Sequence, residues 1–79
     1  MTQQVEAKRQ IETVAGVSNV AFDLLAILEN KLEGIAAMEE YKIDCEEAGD
    51  HAAMSLIDEL QKRAIDDVQR IKGYVKDRL

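Results

Sequence analysis

The chain has 79 residues, of which 47% are hydrophobic and 33% charged, with no proline, no tryptophan and a net charge of −6. This apolar content excludes a disordered chain, and the absence of proline favours helices. The negative charge argues against binding to nucleic acid or to an anionic membrane, because those surfaces are negatively charged themselves.

The N-terminus resembles neither a signal peptide nor a transit peptide, and no apolar run approaches the ~20 residues of a membrane span. We therefore expect a cytoplasmic protein. Cys45 is the single cysteine, so the chain cannot form an intramolecular disulfide. A chain of this length forms one domain, residues 1–79, and domains this small usually need a staple, a metal or a partner.

The first half of the chain carries a seven-residue apolar repeat that predicts a long helix. Its members are Ala7, Ile11, Val14, Ser18, Ala21, Leu25, Leu28, Leu32 and Ile35. The residues that widen this stripe on one side are Val20, Leu24, Ile27 and Lys31. A stripe this wide is typical of a helix that packs against more than one neighbour in a bundle.

A weak interruption lies between Gly16 and Asn19, where glycine disfavours a helix and Ser18 is suited to cap a new one. If the chain breaks there, residues 3–15 form a short arm or helix and residues 18–48 a long helix. The alternative is one continuous helix from about residue 3 to residue 48, which the unbroken repeat supports. We favour a break or kink.

The sharp turn is predicted at Gly49 and Asp50, because glycine ends helices and aspartate caps them. Residues 50–79 then form a second long helix. Its predicted stripe is Ala53, Ile57, Leu60, Ala64, Val68, Ile71, Val75 and Leu79. On the other side of this helix, an acidic residue precedes a basic residue by four positions in three pairs: Asp58 with Lys62, Glu59 with Arg63, and Asp66 with Arg70.

The predicted fold is therefore all-α, a long antiparallel helical hairpin with a short N-terminal extension. Each apolar stripe is broader than one helix can cover, so we expect two hairpins to form a homodimer of the four-helix-bundle type. The predicted interface residues are Ile11, Val14, Leu25, Leu28, Leu32, Gly34, Ile35, Ile57, Leu60, Val68 and Ile71. Gly34, with Asn30 and Ala37, offers small side chains where another backbone can approach.

Catalytic chemistry is not indicated by the remaining polar residues. Cys45 and His51 lie on either side of the turn, but they have no third residue to orient them. Glu39 falls where the repeat asks for an apolar residue, and burying an unpaired carboxylate is unfavourable. Either Glu39 pairs with a base of the other helix, or the line of residues that face the other helix, the seam, shifts to Met38, Tyr41 and Cys45 and leaves Glu39 in water. We favour the shift.

One stretch resembles the turn into the last long helix of bacterioferritin and rubrerythrin-type members of the ferritin-like superfamily. It consists of Glu47, Ala48, Gly49 and Asp50, followed by Ala53, Leu56, Glu59 and Leu60. The resemblance covers about a third of the chain and implies a ferritin-like hairpin. That family binds a di-iron centre with a Glu-x-x-His motif. Here the corresponding positions are Ala64 and Asp67, and no Glu-x-x-His occurs, so the resemblance implies the packing without the metal.

Two functions from different classes follow. The first is a non-enzymatic helical-bundle protein, without a cofactor, that acts through protein–protein interaction or as an accessory or structural subunit. The alternative is an unconventional carboxylate metal-binding protein that uses Glu29, Glu33 or Glu39 across a dimer interface. A regulatory protein whose N-terminal arm docks on a partner, as antitoxins do, remains a third possibility.

Overall fold

A computed structural model describes residues 14–79, which form two long helices in an antiparallel hairpin. Helix α1 spans Asn19–Ala48 and helix α2 spans His51–Arg78. These helices pack against each other, and the described residues contain no strand. The predicted all-helical hairpin is confirmed. In this part of the chain, neither helix is long and apolar enough to cross a membrane.

Helix α1 begins where the sequence has its weak interruption. Gly16 has a φ of 71°, in the left-handed region that favours glycine, and residues 16–18 are not helical. The Ser18 side chain then caps α1, because its Oγ accepts a hydrogen bond from the Ala21 N–H at 3.1 Å. One continuous helix over residues 3–48 is therefore wrong. The proposed arm, residues 3–15, lies almost wholly outside the described residues.

The turn between the helices is built by the two residues that predicted it. Gly49 has a φ of 69°, and its N–H donates to the Glu46 carbonyl at 3.0 Å. The Asp50 N–H donates to the Cys45 carbonyl at 2.9 Å, which completes a Schellman-type end to α1. Asp50 also caps α2, because its carboxylate accepts from the Ala53 N–H at 3.0 Å.

The seam of α2, the line of residues that face α1, differs from the predicted stripe in the middle and at both ends. It begins at Met54 instead of Ala53 and does not reach Leu79, which is 74% exposed. Gln61 is only 5% exposed, whereas the adjacent Leu60, predicted to lie in the stripe, is 42% exposed. The placement of Leu60 on the seam was therefore wrong. Most of the buried and half-buried residues of α2 follow a regular alternation of three and four: Met54, Ile57, Gln61, Ala64, Val68, Ile71 and Val75. Ala53, Asp58 and Asp67 are half-buried beside this line. Only Gln61 keeps this alternation intact between Ile57 and Ala64.

The seam of α1 is also shifted relative to the predicted repeat. Its buried and half-buried members alternate by three and four along Ala21, Leu24, Leu28, Lys31, Ile35, Met38, Lys42 and Cys45. Leu25 and Leu32 are exposed beside this line. The expected shift of the seam to Met38 and Cys45 is confirmed, whereas Tyr41, expected with them, is exposed. Lys42 takes the seam position between Met38 and Cys45.

This packing leaves the hairpin with a small apolar core. Among the described residues, the buried apolar side chains are those of Ala21, Ala64, Val68 and Val75, and no large side chain is fully buried. Burial of apolar surface is the main stabilising contribution to a fold. Since two of these four residues are alanines, little of the apolar content of this chain is hidden inside a single hairpin.

Candidate interaction surface

The buried amide of Gln61 is fully hydrogen-bonded at the seam. Its Nε2 donates to the Ile35 carbonyl at 3.1 Å and to Glu39 Oε1 at 2.7 Å. Its Oε1 accepts from Lys42 Nζ at 2.8 Å. A buried polar group is tolerated when such partners replace water. Gln61 therefore connects two turns of α1 to the middle of α2.

Three charged side chains surround Gln61, and together the four residues form what we call the polar cluster. Lys42 Nζ lies 3.1 Å from Glu39 Oε1 and 3.5 Å from Asp58 Oδ1. The Lys42 side chain is 21% exposed, whereas that of Glu39 is 65% exposed. The long aliphatic part of Lys42 thus lies in the seam while its ammonium group reaches the carboxylates at the edge.

These contacts shift the pKa values of all three charged groups toward the ionised form. The hydrogen bond from Gln61, followed by the hydrogen bond and the positive charge of Lys42, lowers the pKa of Glu39. Lys62, four residues away on the same helix at 3.0 Å, and then Lys42 lower the pKa of Asp58. The hydrogen bond with Glu39 raises the pKa of Lys42 above its ordinary value. Glu39, Lys42 and Asp58 are therefore all charged at neutral pH.

A second ion pair joins the helices closer to their free ends. Lys31 Nζ lies 3.1 Å from Asp67 Oδ2, and both side chains are 40% exposed. Arg70 approaches the other oxygen of Asp67 at 3.7 Å instead of the predicted Asp66. The predicted pairs of Lys62 and Arg63 with the acids four residues earlier are confirmed. Exposed pairs of this kind contribute little to stability, and of these pairs only Lys31 with Asp67 joins the two helices.

Within one hairpin, the predicted metal-ligand candidates are not brought together, and their use across a dimer interface stays a prediction. Glu29 and Glu33 are exposed on α1, and Glu39 is engaged in the polar cluster. Within residues 14–79, no three side chains of His, Cys, Asp or Glu converge in a way that could hold a metal ion. Cys45 is a half-buried free cysteine and His51 is exposed.

The most extensive feature of the surface is its exposed large apolar side chains, which lie on two sides of the seam. We call the first side the groove face. A groove of about 310 Å³ at its centre is lined by Ile27, Asn30, Lys31, Gly34, Met38 and Ala64. Residues seven apart lie on the same side of a helix, so the groove face also includes Val20 and Tyr41 from α1.

Helix α2 contributes Leu60 and Tyr74 to the groove face. Asp67, which pairs with Lys31 at the groove, lies seven residues from each of them. Tyr74 and Lys31 also line one surface pocket together with Asp67. The exposed apolar residues of the groove face are therefore Val20, Ile27, Tyr41, Leu60 and Tyr74.

We call the second side the cluster face, because it includes the carboxylates of the polar cluster. Leu25, Leu32 and Glu39 are spaced seven apart on α1, and Ile43 lines a pocket with Glu39. On α2, Asp58 and Ile65 are likewise seven apart. The apolar side chains of this face are interrupted by the charged groups of the cluster.

The predicted interface residues fall into three groups in the hairpin. Val68 is 7% exposed and packs inside the hairpin. The half-buried members, which line the seam or border it, are Leu28, Gly34, Ile35, Ile57 and Ile71. The exposed members are Val14, Leu25, Leu32 and Leu60, and Ile11 lies outside the described residues.

The sequence prediction missed Gln61 as a seam residue. One signal was available for Gln61, because the predicted stripe contained two successive steps of four, from Leu60 to Ala64 and from Ala64 to Val68. A regular seam alternates three and four. The two successive steps of four therefore indicated that the seam passes through Gln61, the neighbour of Leu60, although Gln61 is polar.

Comparison of the chain with family models, with curated proteins and with solved structures found no significant match. The resemblance to the ferritin-like superfamily therefore remains a prediction based on the turn and the helix that follows it.

Proposed function

We propose that this chain is a non-enzymatic protein that acts through protein–protein interaction, as a hairpin that pairs with a second copy to complete a four-helix bundle. In this form it serves as an accessory or structural subunit. The observation that supports the proposal is the row of exposed large apolar side chains along both helices. Monomeric proteins rarely expose large contiguous apolar patches, and so many large apolar side chains along one hairpin favour a partner.

The small apolar core of the hairpin is the energetic reason to expect a partner. Burial of a leucine or isoleucine side chain stabilises a fold by about 1.5–3 kcal/mol. Val20, Ile27 and Leu60 are each at least two-fifths exposed, so a single hairpin obtains only part of that stabilisation. A second surface packed on these residues supplies the rest and offsets the entropy lost when two long helices are ordered.

The proposal is tested by thermal unfolding of the whole chain, followed by circular dichroism over a hundredfold range of protein concentration. If folding is coupled to dimerisation, each tenfold increase adds about 1.4 kcal/mol and raises the Tm by about 4 °C. A Tm that does not change with concentration, together with a monomeric mass, would contradict the proposal.

A further inference from the structure

The centre of the groove face has a recess where another backbone can approach. A Cβ atom added to Gly34 would meet nothing within 4 Å, and the groove beside it is lined across the seam by Ala64, also a small residue. Gly34 is helical and lacks the positive φ that would require glycine. Glycine destabilises a helix interior by about 1 kcal/mol relative to alanine. Gly73, the other helical glycine, also has nothing within 4 Å, so Gly34 is distinguished by its place at the middle of α1 and beside the groove.

The apolar residues of α1 are placed symmetrically about this recess. Gly34 lies at the middle of Asn19–Ala48. Ile27 lies seven residues before Gly34 and Tyr41 seven residues after it, and both are exposed. A twofold axis that crosses α1 at Gly34 therefore places Ile27 of one copy against Tyr41 of the other, with the two glycines at the closest approach of the helices.

The distribution of charge favours the same antiparallel arrangement. The tip of the hairpin, residues 39–59, has eight acidic residues and one basic residue, a net charge of −7. The open end, residues 19–30 and 69–79, has four basic and three acidic residues, a net charge of +1. Two copies with their tips together would place two strongly negative ends side by side, which is unfavourable. The antiparallel arrangement places each tip beside an open end.

The cluster face fits a second copy less well. The same axis would place Glu29 of one copy opposite Glu39 of the other, because each lies five residues from Gly34. Like charges placed opposite each other are destabilising, and the polar cluster would lose contact with water. On the groove face the same symmetry places Ile27 opposite Tyr41, Asn30 opposite Met38 and Lys31 opposite Ala37, so no like charges meet there.

The groove face is also large enough to hold a dimer together. Two adjacent helices about 45 Å long and 10 Å wide present roughly 900 Å² to a partner. A stable interface of standard size buries about 800 Å² on each side.

We propose that a second copy of this chain docks on the groove face in the antiparallel orientation, with the twofold axis at Gly34. This inference rests on the proposed function, because it assigns the face and the orientation of the dimer.

Disulfide crosslinking of full-length chains tests the face and the orientation together. In a Cys45→Ala background, one chain carries Ile27→Cys and another, with a size tag, carries Tyr41→Cys. The two are mixed and oxidised mildly. Because a disulfide requires Cα atoms within about 7 Å, the proposed dimer gives the mixed crosslink between the two chains. The matched control pair is Leu25→Cys with Ile43→Cys, which is equally symmetrical about Gly34 but lies on the cluster face; its crosslink is not expected.

Gly34→Leu provides a second readout that does not depend on crosslinking. The leucine has open space in the hairpin and improves the helix propensity, so it does not strain the single hairpin. It blocks the close approach of a second copy, so the variant should lose dimerisation and the stability that the second copy adds. Three results would overturn the inference while leaving the proposed function intact: a crosslink on the cluster face, crosslinking of Ile27→Cys chains to themselves, or a Gly34→Leu variant that dimerises normally. A monomeric native chain would contradict both proposals.

Discussion

Gln61 at the centre of the seam offers a direct test of how the two helices are held together. Gln61→Ala removes a side chain that is 5% exposed and makes three hydrogen bonds to α1. A hydrogen bond within a protein contributes about 0.5–1.5 kcal/mol net, and the truncation also leaves a gap in the seam. Because the partners of Gln61 regain some contact with water, we expect the free energy of unfolding to fall by about 2 kcal/mol.

The measurement is urea unfolding at one fixed protein concentration, followed by circular dichroism. For a chain of this size the midpoint should fall by about 2 M urea with little change in slope. Gln69→Ala is the matched control, because Gln69 is an exposed glutamine of the same helix, and a change within about 0.5 kcal/mol is expected there. If the two variants unfold at the same midpoint, the hydrogen-bonded seam inferred from Gln61 is wrong.

Further predictions concern the acid response, the helix ends and the groove face. Because the pKa of Glu39 is lowered, its ionised carboxylate stabilises the fold above the ordinary pKa, and this contribution is lost as the pH falls through the lowered value. Glu39→Gln should therefore flatten the decrease of the urea midpoint between pH 5 and pH 2; an unchanged decrease would contradict this. Gly49→Ala should destabilise the hairpin by about 1 kcal/mol, because alanine is strained at a positive φ. Ser18→Ala should lose a similar amount with the cap of α1, whereas Ser18→Asp should retain it in the same urea titration. Leu60→Ala should weaken dimerisation about tenfold in sedimentation experiments, because this side chain lies on the groove face; an unchanged dissociation constant would place Leu60 outside the interface.

The ends of the helices could be predicted from the sequence because they depend on local chemistry. Ser18, Gly49 and Asp50 each act within a few residues of their own position, through caps and a left-handed turn that only certain side chains favour. The hairpin as a whole follows from these ends and from the apolar stripes between them.

The seam could not be assigned from hydrophobicity alone, because a long helix with a wide apolar stripe can turn several faces toward its neighbour. Leu60 and Gln61 are adjacent, and the leucine is the more apolar residue, yet the glutamine is the buried one. Its burial depends on Glu39 and Lys42, which lie some twenty residues away in sequence and supply its hydrogen bonds. Likewise, the exposure of Leu25 on α1 is set by how the two helices are rotated against each other.

We propose that the hairpin completes its core with a second copy of itself, and sedimentation equilibrium of the full chain tests this most directly. The chain has a mass of 8.9 kDa. We predict a reversible equilibrium that approaches twice this mass at micromolar concentration or above, together with the concentration-dependent Tm of a dimer. A single species at the mass of one chain across that range, still fully helical, would contradict the claim.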